Sequence, residues 1–150
     1  MMDSGKYFFF SRPRRFGKSL LLDTLHEIFE GNKALFKGLW IENKIEWKPY
    51  PVVKIDFGKI MSQDGDLIDA LMNEILRNAQ RLDVTVSNML SPSIAFGDLL
   101  NNICEKYGKN SIVLLIDEYD KALVDFIDKV ELFNYNRDIF KRFLHEYKIV

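Results

Sequence analysis

Ser11-Arg12-Pro13-Arg14-Arg15-Phe16-Gly17-Lys18-Ser19 follows the apolar run Tyr7-Phe8-Phe9-Phe10 and leads into Leu21, Leu22, Leu25, Ile28 and Phe29. The first run reads as a buried strand, and the later set repeats at helical spacing. Between a strand and a helix, Gly-Lys-Ser is the arrangement of a loop that cradles phosphate. Gly17 adopts backbone angles other residues avoid, and the amides opening the helix point at an anion. Lys18 would reach the β and γ phosphates, and the Ser19 hydroxyl would ligate Mg2+. The general pattern has a further glycine five residues before Gly17, where this chain has Arg12. The tripeptide alone would favour a surface turn; the strand-loop-helix order shifts the reading to a nucleotide site.

A second stretch supplies acids. Ile112-Val113-Leu114-Leu115-Ile116 runs into Asp117-Glu118, five apolar residues and two carboxylates, the Walker B pattern. Asp117 would hold Mg2+ alongside Ser19, and Glu118 would orient the water that attacks the γ phosphate. Adjacent residues of a strand point to opposite faces, so the two roles require the strand to end between them. The competing reading is a strand that leaves the core and caps the next helix with acids.

These blocks, with Leu35-Phe36-Lys37-Gly38-Leu39-Trp40-Ile41 and Tyr50-Pro51-Val52-Val53-Lys54-Ile55-Asp56-Phe57 in the same order, resemble the AAA-ATPase-like family found mainly in anaerobic bacteria. That family's loop reads Arg-Pro-Arg-Arg-Phe-Gly-Lys-Ser, which accommodates Arg12. The resemblance implies ATP and Mg2+, and an α/β fold of three layers, a P-loop NTPase with a parallel sheet. It implies nucleotide contacts from Arg14, Arg15, Phe16, Gly17, Lys18, Ser19 and Leu20, metal ligation by Ser19 and Asp117, and catalysis by Lys18 and Glu118. Members of the family are several times longer, often with a C-terminal domain resembling PD-(D/E)XK nucleases. On this reading residues 1–150 are one partial domain whose later strands are missing, and nucleic acid enters only through that nuclease-like part.

Composition agrees with one domain. The chain has 150 residues, 47% hydrophobic, enough for a core. A net charge of −1 gives no electrostatic case for nucleic acid or a membrane as bulk partner. Arg12, Arg14, Arg15 and Lys18 are therefore read as local neutralisers of phosphate charge. Cys104, the single cysteine, fits a reducing compartment and reads as a buried apolar residue. No signal peptide is evident and no apolar run approaches the ~20 residues of a membrane helix, so the expected location is cytoplasmic.

Outward from the loop, a helix is expected over residues 17–30, ending at Gly31. His26 on it reads as a partly packed histidine. Residues 34–47 are densely apolar and should fold back onto the sheet, with Trp40 and Trp47 packing. Pro49 and Pro51 introduce a strand over 52–57, with Asp56 at its end either at the ligand edge or as a cap. Asp64, Asp66 and Asp69 open a helix bearing Leu67, Ile68, Leu71, Met72, Ile75, Leu76 and Ala79. Residues 81–93 read as a long loop, and a helix with Phe96, Leu99, Leu100, Ile103 and Tyr107 runs from about Pro92 to Gly108. The last helix is expected over 136–147, with Ile139, Phe140, Phe143 and Leu144 on one face; His145 has no assigned role. Lys148-Ile149-Val150 would begin a further strand, and Asp120 is left between metal organiser and turn acid.

Three functions are consistent with these residues. The first is ATP binding with hydrolysis. The second is a non-catalytic module that self-associates through apolar surface. The third is a phosphotransferase acting on a small acceptor.

Overall fold

β-Branched residues around Lys54 make Val52–Asp56 a strand, β1. It lies parallel to Val113–Asp117, β2, in a register that runs from Val52 opposite Val113 to Asp56 opposite Asp117. The computed structural model describes residues 17–61, 67–109, 111–118, 121 and 130–145. Around this pair, in chain order, lie helices α1 (Lys18–Phe29), α2 (Phe57–Met61), α3 (Leu67–Arg81), α4 (Pro92–Tyr107) and α5 (Val130–His145). The chain is thus mixed α/β, and the sheet has two strands among the described residues. The strand expected at 7–10, the acids Asp64 and Asp66, and Lys148-Ile149-Val150 lie outside the described residues. No helix of the described residues is long and apolar enough to cross a membrane.

The period of two along the strands sorts the helices. Val53 and Ile55 join the core cluster with residues of α3, α4 and Phe143 of α5, and their neighbours Leu114 and Ile116 pack against it. Lys54 faces the other way, where its ammonium meets Asp23 of α1. By register, Leu115 shares the face of Lys54, and Asp56 and Asp117 share it too. The core is aromatic where α5 docks: the Phe143 ring lies 4.6 Å from Phe96 and 6.4 Å, edge to face, from Phe57.

Local chemistry explains the helix ends. Ser91 accepts the Ile94 amide at 3.3 Å and Pro92 opens α4, which stops at Gly108 with φ 97°. The loop between α3 and α4, foreseen as long, is tied down by α4. Asp98 Oδ2 accepts the amides of Ser87 (2.7 Å) and Asn88 (3.2 Å), and Asn102 donates to the Thr85 carbonyl (2.7 Å).

Four expectations need correction. Residues 34–47 form two short 3-10 turns, Lys33–Phe36 and Trp40–Asn43, and only Phe36 is buried there. Phe36 stacks on Trp47 at 5.0 Å, whereas Leu35 and Trp40 are 65% and 79% exposed. A 3-10 turn eclipses residues three apart, so it cannot hold all these apolar side chains on one side. The strand ends at Asp56 because Phe57 already opens α2, whose amide Lys59 N–H donates to Asp56 Oδ1 at 3.1 Å. The last helix begins at Val130, not 136, there being no glycine or proline between them to stop it. Cys104 is half-buried, not buried.

One buried polar residue was not foreseen. Asn78 is 3% exposed within the apolar stripe of α3, while Leu76 points outward. Its amide serves both backbone groups of Lys54: Oδ1 accepts the Lys54 amide at 3.1 Å, and Nδ2 donates to the Lys54 carbonyl at 3.0 Å. Arg81 donates to the Val52 carbonyl and, at 3.1 Å, to Asn78 Oδ1. The outer edge of β1 is thereby closed by side chains of α3. Asn78→Ala leaves the Lys54 amide and carbonyl without these partners and should lower stability by about 2–4 kcal/mol. Urea unfolding would show this as a lower midpoint with an unchanged slope.

Candidate functional site

Three contacts set the direction of α1. Near its C-terminal end, the Phe29 carbonyl accepts the Tyr50 amide at 2.8 Å, just before β1. Arg81 bridges Glu30 Oε1 (2.6 Å) to the carbonyl of Val52, the first residue of β1. Further back along the helix, Asp23 pairs with Lys54 in the middle of the strand. The helix therefore runs antiparallel to β1. From Asp23 to Lys18 is about 7.5 Å of helix, and from Lys54 to Asp56 about 6.6 Å of strand. The first turn of α1 thus lies level with the carboxyl ends of β1 and β2, the edge at which open parallel sheets bind ligands.

Gly17 precedes that turn in the left-handed conformation, φ 71° and ψ 27°. A residue with a Cβ is disfavoured there, and the glycine lets the chain turn sharply into the helix. The first helical bond runs from the Leu21 amide to the Gly17 carbonyl at 3.0 Å. Among the described residues no side chain caps the helix start, and its first turn carries no acid. The amides ahead of Leu21 therefore have no partner within the helix. Lys18 is half-buried, and Ser19 and Leu20 are exposed.

Opposite this turn, Asp117 is 6% exposed, and its Oδ1 accepts the Glu118 amide at 2.9 Å. A carboxylate keeps acceptor capacity beyond one such bond. Glu118 has φ 49°, so β2 has ended and the two acids escape the alternation that would send them to opposite faces. Glu118 Oε2 lies 3.5 Å from Lys121 Nζ, and its carboxylate rests on Gly58 in the first turn of α2. Asp56 sits at the same register as Asp117 and caps α2, with Lys59 Nζ 3.5 Å from Oδ2.

Among the described residues no three His, Cys, Asp or Glu side chains converge on a metal position. The Ser19 hydroxyl and the Asp117 carboxylate are hard oxygen donors. They fit Mg2+, which takes one or two such protein ligands and completes its shell with water and phosphate. Arg12, Arg14, Arg15, Phe16 and Asp120 lie outside the described residues. His26 lies toward the far end of α1, with Nε2 3.0 Å from Glu30 Oε1. A cavity of about 200 Å3, lined by polar and charged residues including His26, Lys54 and Arg81, opens beside the closed edge of β1. Its cations are engaged: Lys54 with Asp23, Lys59 with Asp56, Arg77 with Glu74 and Arg81 with Glu30.

Gly58 and Lys121, both touching Glu118, carry no signal of that role in the sequence. The sequence did carry one signal for α2: an Asp directly before an apolar residue, the pattern of a helix cap.

A family model described as "Predicted AAA-ATPase" matches residues 1–150. The chain belongs to the AAA-ATPase-like family. An uncharacterised protein of Azotobacter chroococcum mcd 1, named for its place in the vnfD 5′ region, is 36% identical over 140 residues. That match covers 92% of this chain and 27% of the relative, so the chain spans about a quarter of that protein's length. No solved structure matches.

In this AAA-ATPase-like chain the Asp23–Lys54 pair ties the helix behind the loop to the sheet. The hydrogen bond from Lys54 holds the Asp23 carboxyl below its ordinary value of 3.8. A carboxyl lowered in the folded state stabilises above its unfolded pKa, and the gain is lost as pH falls through the folded value. With Asp23 59% exposed, Asp23→Asn should cost no more than about 1 kcal/mol at pH 7. Melting curves from pH 7 down to about 2.5 should show the gap between wild type and variant constant above about 5 and closing below 3.8.

Proposed function

We propose that this chain is the nucleotide-binding part of an ATPase, a P-loop domain of three-layer α/β/α form that binds ATP and hydrolyses its γ phosphate. The observation that carries the reading is the first turn of α1, uncapped among the described residues and held level with Asp117 and Glu118 at one edge of a parallel sheet. The amides of that turn and the Lys18 ammonium take up phosphate charge, with Arg14 and Arg15 of the loop adding to it. Mg2+, held by Ser19 and Asp117, would neutralise charge on the phosphate oxygens. Glu118, outside the strand and half-exposed, accepts a hydrogen bond from the attacking water and orients it. Catalysis on this reading is positioning and charge stabilisation, with little covalent work for the protein.

Mg2+ATP at about 100 times its dissociation constant should stabilise the chain by about 2.7 kcal/mol, a melting shift of several degrees. Lys18→Ala should lose the shift. Glu118→Gln should keep it while cutting turnover about 100-fold or more. A shift retained in Lys18→Ala overturns the loop assignment, and full turnover in Glu118→Gln overturns the water-orienting acid.

A second reading, a self-associating module, draws on the exposed Leu35, Leu39 and Trp40. It expects a sedimentation mass that rises with concentration and is indifferent to nucleotide. A constant monomer mass removes it.

A further inference from the structure

The Glu118 carboxylate occupies the space where a side chain on Gly58 would stand. A methyl group built on Gly58 overlaps Glu118 Oε2 and comes 2.9 Å from its Cδ and 3.1 Å from Asp56 Oδ1. Gly58 has no positive φ to explain the residue: among the described residues the left-handed glycines are Gly17, Gly31, Gly38 and Gly108. It stands inside α2, where glycine is less favourable than alanine. Nothing in the local backbone therefore calls for glycine, and the one thing it provides is room for the carboxylate above it.

We propose that Gly58 is a positioning residue, the seat that fixes the Glu118 carboxylate at the carboxyl edge of the sheet. The proposal rests on the reading of Glu118 as the acid that orients water. Three constraints act on that side chain together. Its backbone is fixed in the left-handed region at φ 49°, Lys121 Nζ lies 3.5 Å from Oε2, and the bare Cα of Gly58 receives the carboxylate from below. Asp56, anchored by the Lys59 amide at 3.1 Å, closes the seat on the β1 side and bears a like charge that discourages the carboxylate from sliding toward it. The two nearest atoms met by an added methyl belong to the far end of the Glu118 side chain, and the third is Asp56 Oδ1 at 3.1 Å, so substitution at Gly58 displaces the Glu118 carboxylate most and asks Asp56 to give by a few tenths of an ångström. Stability and activity should then change in opposite directions, which separates positioning from a structural role.

The test is a double-mutant cycle with Gly58→Ala, Glu118→Asp and the double variant, beside Glu118→Gln. Gly58→Ala should melt no lower than wild type and bind Mg2+ATP with a dissociation constant within about twofold. Its kcat should fall at least about tenfold, and its Glu118 carboxyl carbon resonance should shift in the nucleotide-free chain. In the Gly58→Ala background, Glu118→Asp should cost less than it does alone, since the shorter side chain clears the methyl. An unmoved Glu118 resonance overturns the seat, as does undiminished kcat in Gly58→Ala with turnover lost in Glu118→Gln, or strictly additive effects in the cycle. Full turnover in Glu118→Gln instead overturns the functional reading of the acid, and the seat's catalytic meaning falls with it.

Discussion

The amide of Asn78 is the contact on which the arrangement depends. A parallel pair of strands leaves alternate backbone groups of each outer edge without partners. On β1 those groups include the amide and carbonyl of Lys54, and the buried Asn78 takes both in a geometry that mimics a neighbouring strand. Arg81 extends the same function to Val52 and reaches on to Glu30. Among the described residues, the backbone groups of Val52 and Lys54 on that edge are thereby taken by side chains.

That closure also orders the functional edge. Arg81, by joining the end of α1 to the start of β1, works with the Asp23–Lys54 pair to hold α1 antiparallel to the strands. The helix has no fully buried residue among those described; these polar ties act beside the half-buried Leu21, Leu22, Leu25 and Ile28 and the edge-to-face contact of Phe29 with Tyr50. Its first turn therefore arrives at the carboxyl ends of the strands through contacts made at its other end and its middle. Asp117 and Glu118 meet it there because β2 stops between them, the second acid turning into the left-handed region.

The sequence made the local elements legible wherever one residue type had a single physical use. Gly17 before Lys18 announced the left-handed entry to α1, Ser91-Pro92 announced α4, and the apolar run ending in Asp117-Glu118 announced β2 and its termination. It was less informative where a residue's role depends on a distant neighbour. Asn78 looked like one polar residue on an amphipathic helix; its burial makes sense only against Lys54, twenty-four positions earlier. Gly58 carried no signal of its own, because the carboxylate that needs its space arrives sixty residues later in the chain. The apolar side chains of residues 34–47 misled for the opposite reason: their density suggested burial, but two tight 3-10 turns left Leu35, Leu39 and Trp40 facing solvent.

The start of α1 carries a further consequence. Most helices gain about 1 kcal/mol from a serine, threonine, aspartate or asparagine whose side chain accepts an amide of the first turn. Here a left-handed glycine stands in that place and the gain is forgone. A capping oxygen and a bound anion would compete for the same amides, so the routine remedy for a weak helix end would act on this chain as a built-in inhibitor. A capping residue at this position would first have to leave the left-handed conformation for the extended one that capping side chains use, so the sharp entry into the helix and the bare amides are kept by the same glycine.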